Sequence, residues 1–259
     1  MTEPYIKIEG LHKTFNSNHV MKGVNLSIYK NEITAVIGRS GCGKSVLLKH
    51  IIGLMEQDSG NIWLDGKKIS RLSVKEKREF RMNLSYMFQN NALFDFLNVY
   101  DNIGLPLVEG SSMSKREIEK KVKLRMEQLE LEGTGHHYPA ELSGGMRKRV
   151  ALARALVTDP GVVLFDEPTT GLDPVRKNRI HNMIKEYKDK FGFTAVIVSH
   201  DIPDIFEITQ RIAMLEDGKI LYEGDCEGIM NSDNPVIQSF IRGGGRSDHI
   251  PDRPCGKVS

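Results

Sequence analysis

Residues 33–45 constrain the fold of this chain more than any other stretch. Ile33-Thr34-Ala35-Val36-Ile37 is short, β-branched and nearly continuous in its apolar character, which suits a strand buried on both faces. It runs straight into Gly38-Arg39-Ser40-Gly41-Cys42-Gly43-Lys44-Ser45, a match to G-x-x-x-x-G-K-[ST], and a helix-like stretch from Lys44 to Ile52 follows. In such a loop the glycines let backbone N–H groups curl around phosphate oxygens where side chains would block the approach. The helix presents its N-terminus to the anion. Lys44 brings positive charge to the outer phosphates, and Ser45 can ligate Mg²⁺. The expected phosphate-binding residues are Gly38, Arg39, Ser40, Gly41, Cys42, Gly43, Lys44, Ser45 and Val46.

A second buried-strand pattern, Val162-Val163-Leu164-Phe165, ends in Asp166-Glu167. A carboxylate at the end of such a strand suits a Mg²⁺ ligand that acts through water or from just outside the coordinating atoms, and this is the expectation for Asp166. Glu167, one residue on, points elsewhere and can polarise a water for attack on a γ-phosphate. Thr194-Ala195-Val196-Ile197-Val198 is a third run of the same kind and is followed by Ser199-His200.

Around these runs the pattern changes twice. Residues 5–11 alternate like a half-buried strand, and Asp65-Gly66 and Asp217-Gly218 each sit between apolar positions as hairpin turns do. From about Asn98 to Ala155 strand signals disappear, and Ile118, Val122, Leu124, Leu129 and Leu131 recur at roughly helical spacing. The segment from Gly243 on is rich in Gly, Pro and charge and reads as a flexible tail. The expected organisation is one α/β domain over 1–241. Its core and an antiparallel β subdomain take about 1–90 and 156–241, an inserted α-helical subdomain takes about 91–155, and the tail takes 242–259.

The chain has 259 residues, 39% hydrophobic and 27% charged, enough for a full core. Its 36 Lys and Arg against 34 Asp and Glu leave a net charge of +2, which argues against a nucleic-acid partner. No apolar run reaches the roughly 20 residues that span a bilayer. No basic leader precedes an apolar stretch at the N-terminus, and three cysteines do not read as a disulfide framework. A membrane role is therefore expected to come through a partner. His136-His137 lacks metal-ligand spacing and reads as surface loop.

Leu142-Ser143-Gly144-Gly145-Met146, lying between the two phosphate-site motifs, is the residue run that suggests a family. Ser143 suits a helix cap, and the glycines expose N–H groups at a helix start. In this order of motifs the chain resembles the ABC (ATP-binding cassette) ATPases from Tyr5 to about Ile241. The resemblance implies a P-loop NTPase with a RecA-like core. It implies ATP as substrate with Mg²⁺, and a head-to-tail pair of copies in which Leu142 to Met146 contact the ATP bound to the partner. It further implies Gln89 as the glutamine that senses Mg²⁺ and links to a transporter, Asp173 of Gly171-Leu172-Asp173-Pro174 at the subunit interface, His200 near the γ-phosphate, and Phe15 stacked on adenine. The implied catalytic set is Glu167, His200 and Gln89, and the implied metal set is Ser45, Gln89 and Asp166.

Within that family, Lys44-Ser45-Val46-Leu47-Leu48 is similar to the ATPases of Mce/Mla lipid transporters. So are Gln89 to Asp95, Asn98 to Ile103 and Asn234 to Ile241. This similarity implies phospholipid transport, an MlaE-like permease and an Mce-domain lipid carrier, with the chain on the cytoplasmic face of the inner membrane. Two other readings stay open. One is the ATPase of an importer for polar amino acids or other small solutes. The other is a soluble ABC-type ATPase acting on nucleic acid or ribosomes, although the insertion is compact and there is one cassette.

Overall fold

The computed structural model describes residues 3–88 and 92–244. In chain order its elements are β1 (Ile6–Phe15), β2 (Asn18–Ile28), β3 (Ile33–Ile37), α1 (Lys44–Ile51), β4 (Ser59–Leu64), β5 (Lys67–Lys68), α2 (Val74–Met82) and β6 (Leu84–Met87). Then follow α3 (Val99–Gly110), α4 (Lys115–Gln128), α5 (Gly144–Leu156), β7 (Val162–Asp166), α6 (Pro174–Phe191), β8 (Thr194–Ser199), β9 (Arg211–Glu216), β10 (Lys219–Gly224), α7 (Cys226–Met230) and α8 (Pro235–Gly244).

Two sheets form. The larger has the order β10-β9-β3-β8-β7-β6 and is parallel except for the terminal β9–β10 hairpin. The smaller, β2-β1-β4-β5, is antiparallel. β3 and β8 are buried along their whole length because both faces of the larger sheet are covered, as their continuous apolar runs require. Side chains alternate between two apolar clusters. Ile33, Ala35 and Ile37 join Phe165, Ile197 and the helices α3 to α6 on one side. Val36, Leu164 and Val198 meet α1 and the small sheet through Leu47, Ile51, Ile8 and Leu26 on the other.

Both expected hairpins form. Asp65 and Asp217 have φ of 48° and 44°, each followed by a glycine at 73°, the paired positive angles of a type I′ turn. β2 and α2 carried no sequence expectation. β2 forms because the exposed edge of β1 is paired along its full length. α2 is held at its start by a capping box between Ser73 and Glu76 and buries only Phe80.

Among the described residues no strand lies between β6 and β7, and α3, α4 and α5 pack on one another there. Their apolar residues belong to the same cluster as the larger sheet, through Val99, Ile103, Val122, Met126 and Val150, joined by Leu129 and Leu131 just after α4. Leu124 departs from the periodic reading: it is 53% exposed, because Val122 and Met126 already occupy the inward face of α4. α8 carries residues 242–244, which the sequence placed in the tail, since the helix continues to Gly244. Residues 245–259 lie outside the described residues.

A buried asparagine anchors the insertion to the segment before it. Asn102 accepts from the Phe94 N–H at 2.9 Å and donates to the carbonyls of Phe94, Leu97 and Asn98 at 3.0, 2.9 and 3.1 Å. Replacing Asn102 with Ala strands these backbone groups away from water. Urea unfolding should show a loss of about 2–3 kcal/mol, and the Phe94–Leu97 loop should become the first segment to exchange its amide hydrogens.

Candidate active site

The parallel register places four strand ends on one edge of the large sheet. Ile37 lies opposite both Ser199 and Met214, Asp166 opposite Val198, and Met87 opposite Phe165. The phosphate loop, the Asp166-Glu167 pair and His200 therefore leave the sheet side by side.

The loop is shaped for close backbone approach. Gly38 has φ of 153°, and a Cβ there would lie 2.2 Å from the Leu215 carbonyl oxygen. Gly43, the residue before α1, is left-handed, and its Cβ would meet Met21 Cε at 2.6 Å and Val20 Cγ1 at 2.9 Å. No side chain caps the α1 N-terminus, so its first N–H groups face outward with their partial positive charge. Arg39, Ser40 and Gly41 are exposed at the rim, and Val46 packs partly against the apolar cluster beneath.

Lys44 is 5% exposed, and its ammonium donates to the Gly38 and Arg39 carbonyls at 2.9 Å each. The Glu167 carboxylate is 3.9 Å away. Ser45 Oγ donates to Asp166 Oδ1 at 2.8 Å, and the Tyr86 hydroxyl donates to Asp166 Oδ2 at 2.6 Å. Burial, with the carboxylate beside it, pushes the Tyr86 phenol above its ordinary range and keeps it a donor. The Cys42 thiol is also pushed up by burial, against the pull of the Lys44 charge, so it stays protonated and poorly nucleophilic.

Glu167 sits in the left-handed region at φ 48°, a costly conformation that its surroundings enforce. Its N–H donates to the Val198 carbonyl at 3.0 Å, and the Thr170 hydroxyl donates to Glu167 Oε2 at 2.9 Å. His200 Nδ1 lies 3.4 Å from that same oxygen. The next turn is tied down by Thr169, whose hydroxyl donates to Asp201 Oδ2 at 2.5 Å, while Lys177 pairs with Asp201 Oδ1. Burial alone would raise the Asp201 pKa, but Lys177, Thr169 and His200 pull it below the usual carboxylate range.

The remaining sequence-selected residues fall in two other places. Phe15, 39% exposed, ends β1 opposite Asn18, and Val20 on the adjoining strand touches the phosphate loop. Ser143 caps α5 and accepts from the Met146 N–H at 3.3 Å, while Leu142 is buried beneath it. Ser143, Gly144 and Gly145 line a cleft of about 630 Å³ with Thr170, Leu172, Arg147 and Arg176, and no residue of 38–46 lines it. Asp173 caps α6 at that side by accepting from the Arg176 N–H at 3.0 Å. Gln89 lies outside the described residues. Tyr86, Thr169, Thr170 and Asp201 had no sequence signal, because each is defined by a partner reached through folding. Tyr86, for example, lies 80 positions from Asp166.

The donor set fits a hard divalent cation: a serine hydroxyl and a carboxylate meet at the base of an amide-lined, lysine-bearing loop. Such a site receives the phosphates of a nucleotide, the geometry of a P-loop NTPase.

The family model for ABC transporter matches residues 21–170. The chain belongs to the ABC transporter family and is an ATP-binding, ATP-hydrolysing subunit of that family. It is 38% identical over 238 residues to the "Probable ribonucleotide transport ATP-binding protein mkl" of Mycobacterium leprae, spanning 92% of this chain and 69% of that protein. It is 35% identical over 243 residues to the "Intermembrane phospholipid transport system ATP-binding protein MlaF" of Haemophilus influenzae, spanning 94% and 92%. It is 39% identical over 243 residues to the "Methionine import ATP-binding protein MetN" of Clostridium acetobutylicum, spanning 94% and 75%. Among solved structures, a dimeric ATP-binding cassette in a post-hydrolysis state bound to ADP and Pi superposes with TM-score 0.73 at 32% identity, covering 85% of this chain and 98% of that one. The cbiO1 protein of Clostridium perfringens, part of the ABC transporter complex cbiONQ, superposes with TM-score 0.80 at 28% identity, covering 94% and 98%.

Gly38→Ala should weaken nucleotide binding by distorting the loop, since the added methyl meets the Leu215 carbonyl oxygen and, at 2.9 Å, Cys42 Sγ. A methyl group 2.2 Å from the Leu215 carbonyl forces the loop off its strand. Titration with a fluorescent ATP analogue should show at least about a hundredfold weaker binding.

Proposed function

We propose that two copies of this chain close head to tail around two ATP molecules and drive a membrane permease that moves phospholipid. The observation that carries the paired arrangement is the position of the Ser143 loop. Its glycine N–H groups are exposed in a cleft rich in cationic side chains and apart from the chain's own phosphate loop, so a nucleotide bound by a second copy is the anion that fits it.

In this reading Gly38 to Val46 cradle the phosphates, Phe15 stacks on the base, and Ser45 and Asp166 hold Mg²⁺, with Gln89 completing that set. The metal, when bound, neutralises charge on the phosphate oxygens. Lys44 adds a fixed cation, already desolvated and aimed by the loop carbonyls. Glu167 takes the proton of the attacking water, and His200 and Thr170 hold its carboxylate in place. Asp173 lies at the contact between copies. ATP favours closure because it binds the closed pair better than the open one.

The permease-docking surface we assign is the loop held by Asn102. Phe94 and Phe96 are 41% and 76% exposed, their rings 5.5 Å apart, with Leu97 partly buried beside them. No helix among the described residues is long and apolar enough to cross a membrane; similarity to the lipid-transport ATPases supports a peripheral place on the cytoplasmic face of the inner membrane. Similarity to the lipid-transport ATPases, with near-complete mutual coverage of MlaF, supports an MlaE-like permease, an Mce-domain carrier and phospholipid cargo. Comparable identity to MetN supports the second reading, an importer of a small polar solute.

Glu167→Gln should reduce turnover by about 10²–10⁴-fold, keep ATP affinity and trap an ATP-bound dimer visible by light scattering. Near-normal hydrolysis would remove Glu167 from the proposed role. Phe94→Asp should leave ATP binding by the free subunit intact but weaken docking by about 2–5 kcal/mol, read as loss of co-purification with the permease. Reconstitution of the native complex in liposomes with labelled lipid and labelled amino acid decides the cargo. ATP-dependent movement of the amino acid and not the lipid overturns the phospholipid reading.

A further inference from the structure

α5 begins at the Ser143 loop, and one turn into it lies a cation that the reaction chemistry above does not use. Lys148 is 9% exposed, and among the described residues it forms no ion pair. Its ammonium donates to the carbonyl of Pro168. That carbonyl belongs to the residue directly after Glu167, within the turn closed by the Thr170 N–H to the Glu167 carbonyl at 3.3 Å. Burial pushes the Lys148 pKa down. A desolvated ammonium held by a neutral carbonyl is a charge-assisted, directional hydrogen bond.

The placement of the two ends gives the contact its meaning. On one side Lys148 shares the cleft of Ser143, Gly144 and Gly145. On the other it grips the peptide next to Glu167, whose own φ of 48° depends on outside support. Thr169 and Thr170 anchor the same turn from the Asp201 and Glu167 sides, so Lys148 is the anchor that comes from α5.

We infer that Lys148 is a positioning residue that couples the two nucleotide sites of the dimer: contact of the Ser143 loop with one ATP is passed through α5 and Lys148 to the turn that aims Glu167 at the other. This inference rests on the proposed head-to-tail pair. A shift of the α5 N-terminus moves the ammonium, and the ammonium moves the Pro168 carbonyl and with it the Glu167 backbone. No proton or covalent bond changes hands at Lys148.

The test uses the full-length chain at concentrations where the Glu167→Gln protein forms its ATP-bound dimer. Lys148→Met keeps length and burial but removes the donor. It should lower kcat about tenfold, leave the KM for ATP within about twofold, and bring the Hill coefficient for ATP down to 1. Lys148→Arg restores a donor and should recover both kcat and cooperativity. Should Lys148→Met melt below the assay temperature, Lys148→Leu, which also carries no donor for the Pro168 carbonyl, is measured in its place with the same expectation. An unchanged kcat and Hill coefficient in the folded variant overturns the coupling role, as does a rise in KM at constant kcat. Failure of Glu167→Gln to dimerise with ATP overturns the head-to-tail reading instead, and is scored separately.

Discussion

The parallel register of β3 between β8 and β9 is the constraint on which the rest of the molecule depends. Because Ile37 is level with Ser199 and Met214, and Val198 with Asp166, the chain leaves the sheet at one edge from every strand that matters. Ligands of open α/β sheets bind outside the carboxyl ends of the strands for this reason. A one-residue slip of β3 would carry Ala35 and Ile37 to the opposite cluster and lower the phosphate loop relative to Asp166. Both faces of the sheet are buried, so such a slip is opposed by two apolar clusters at once.

From that edge outward, polar contacts organise the site in layers. Lys44 is held by the loop it serves, and Ser45 and Tyr86 hold the two oxygens of Asp166. The Glu167 turn is restrained by Val198, Thr169, Thr170 and Lys148, which come from β8, from the turn itself and from α5. Rigid support of this sort positions a carboxylate before any substrate arrives. The Ser143 loop belongs to the same chain but opens into a different cleft, lined by Ser143, Gly144 and Gly145 and by no residue of 38–46.

A family with one engine and many cargoes divides its information unevenly. The phosphate loop and strand ends that define the ATPase are the same physical solution whichever solute is moved. Relatives whose names assign them to phospholipid, methionine and ribonucleotide transport match this chain at 35–39% identity. In this chain Phe94 and Phe96 are exposed on a loop whose backbone Asn102 ties down at Phe94 and Leu97.

By itself the sequence determined the fully buried strands, the glycine loop, the Asp-Glu strand end, both Asp-Gly hairpins and the helical insertion. Each of these is encoded locally, by side-chain period or by a residue type with special φ/ψ. It did not determine β2 or α2, because an edge strand and a polar helix take their place from the elements they pair with or pack on. It misread Leu124, because a spacing of two beside Val122 fits a helix stripe in one dimension but not around its circumference. Tertiary structure alone decided that Tyr86 would hold Asp166 from 80 residues away and that Asp201 would brace Thr169. It likewise decided that Lys148 would reach the peptide beside Glu167. Such contacts depend on sheet register and helix docking, which no local pattern of residues records.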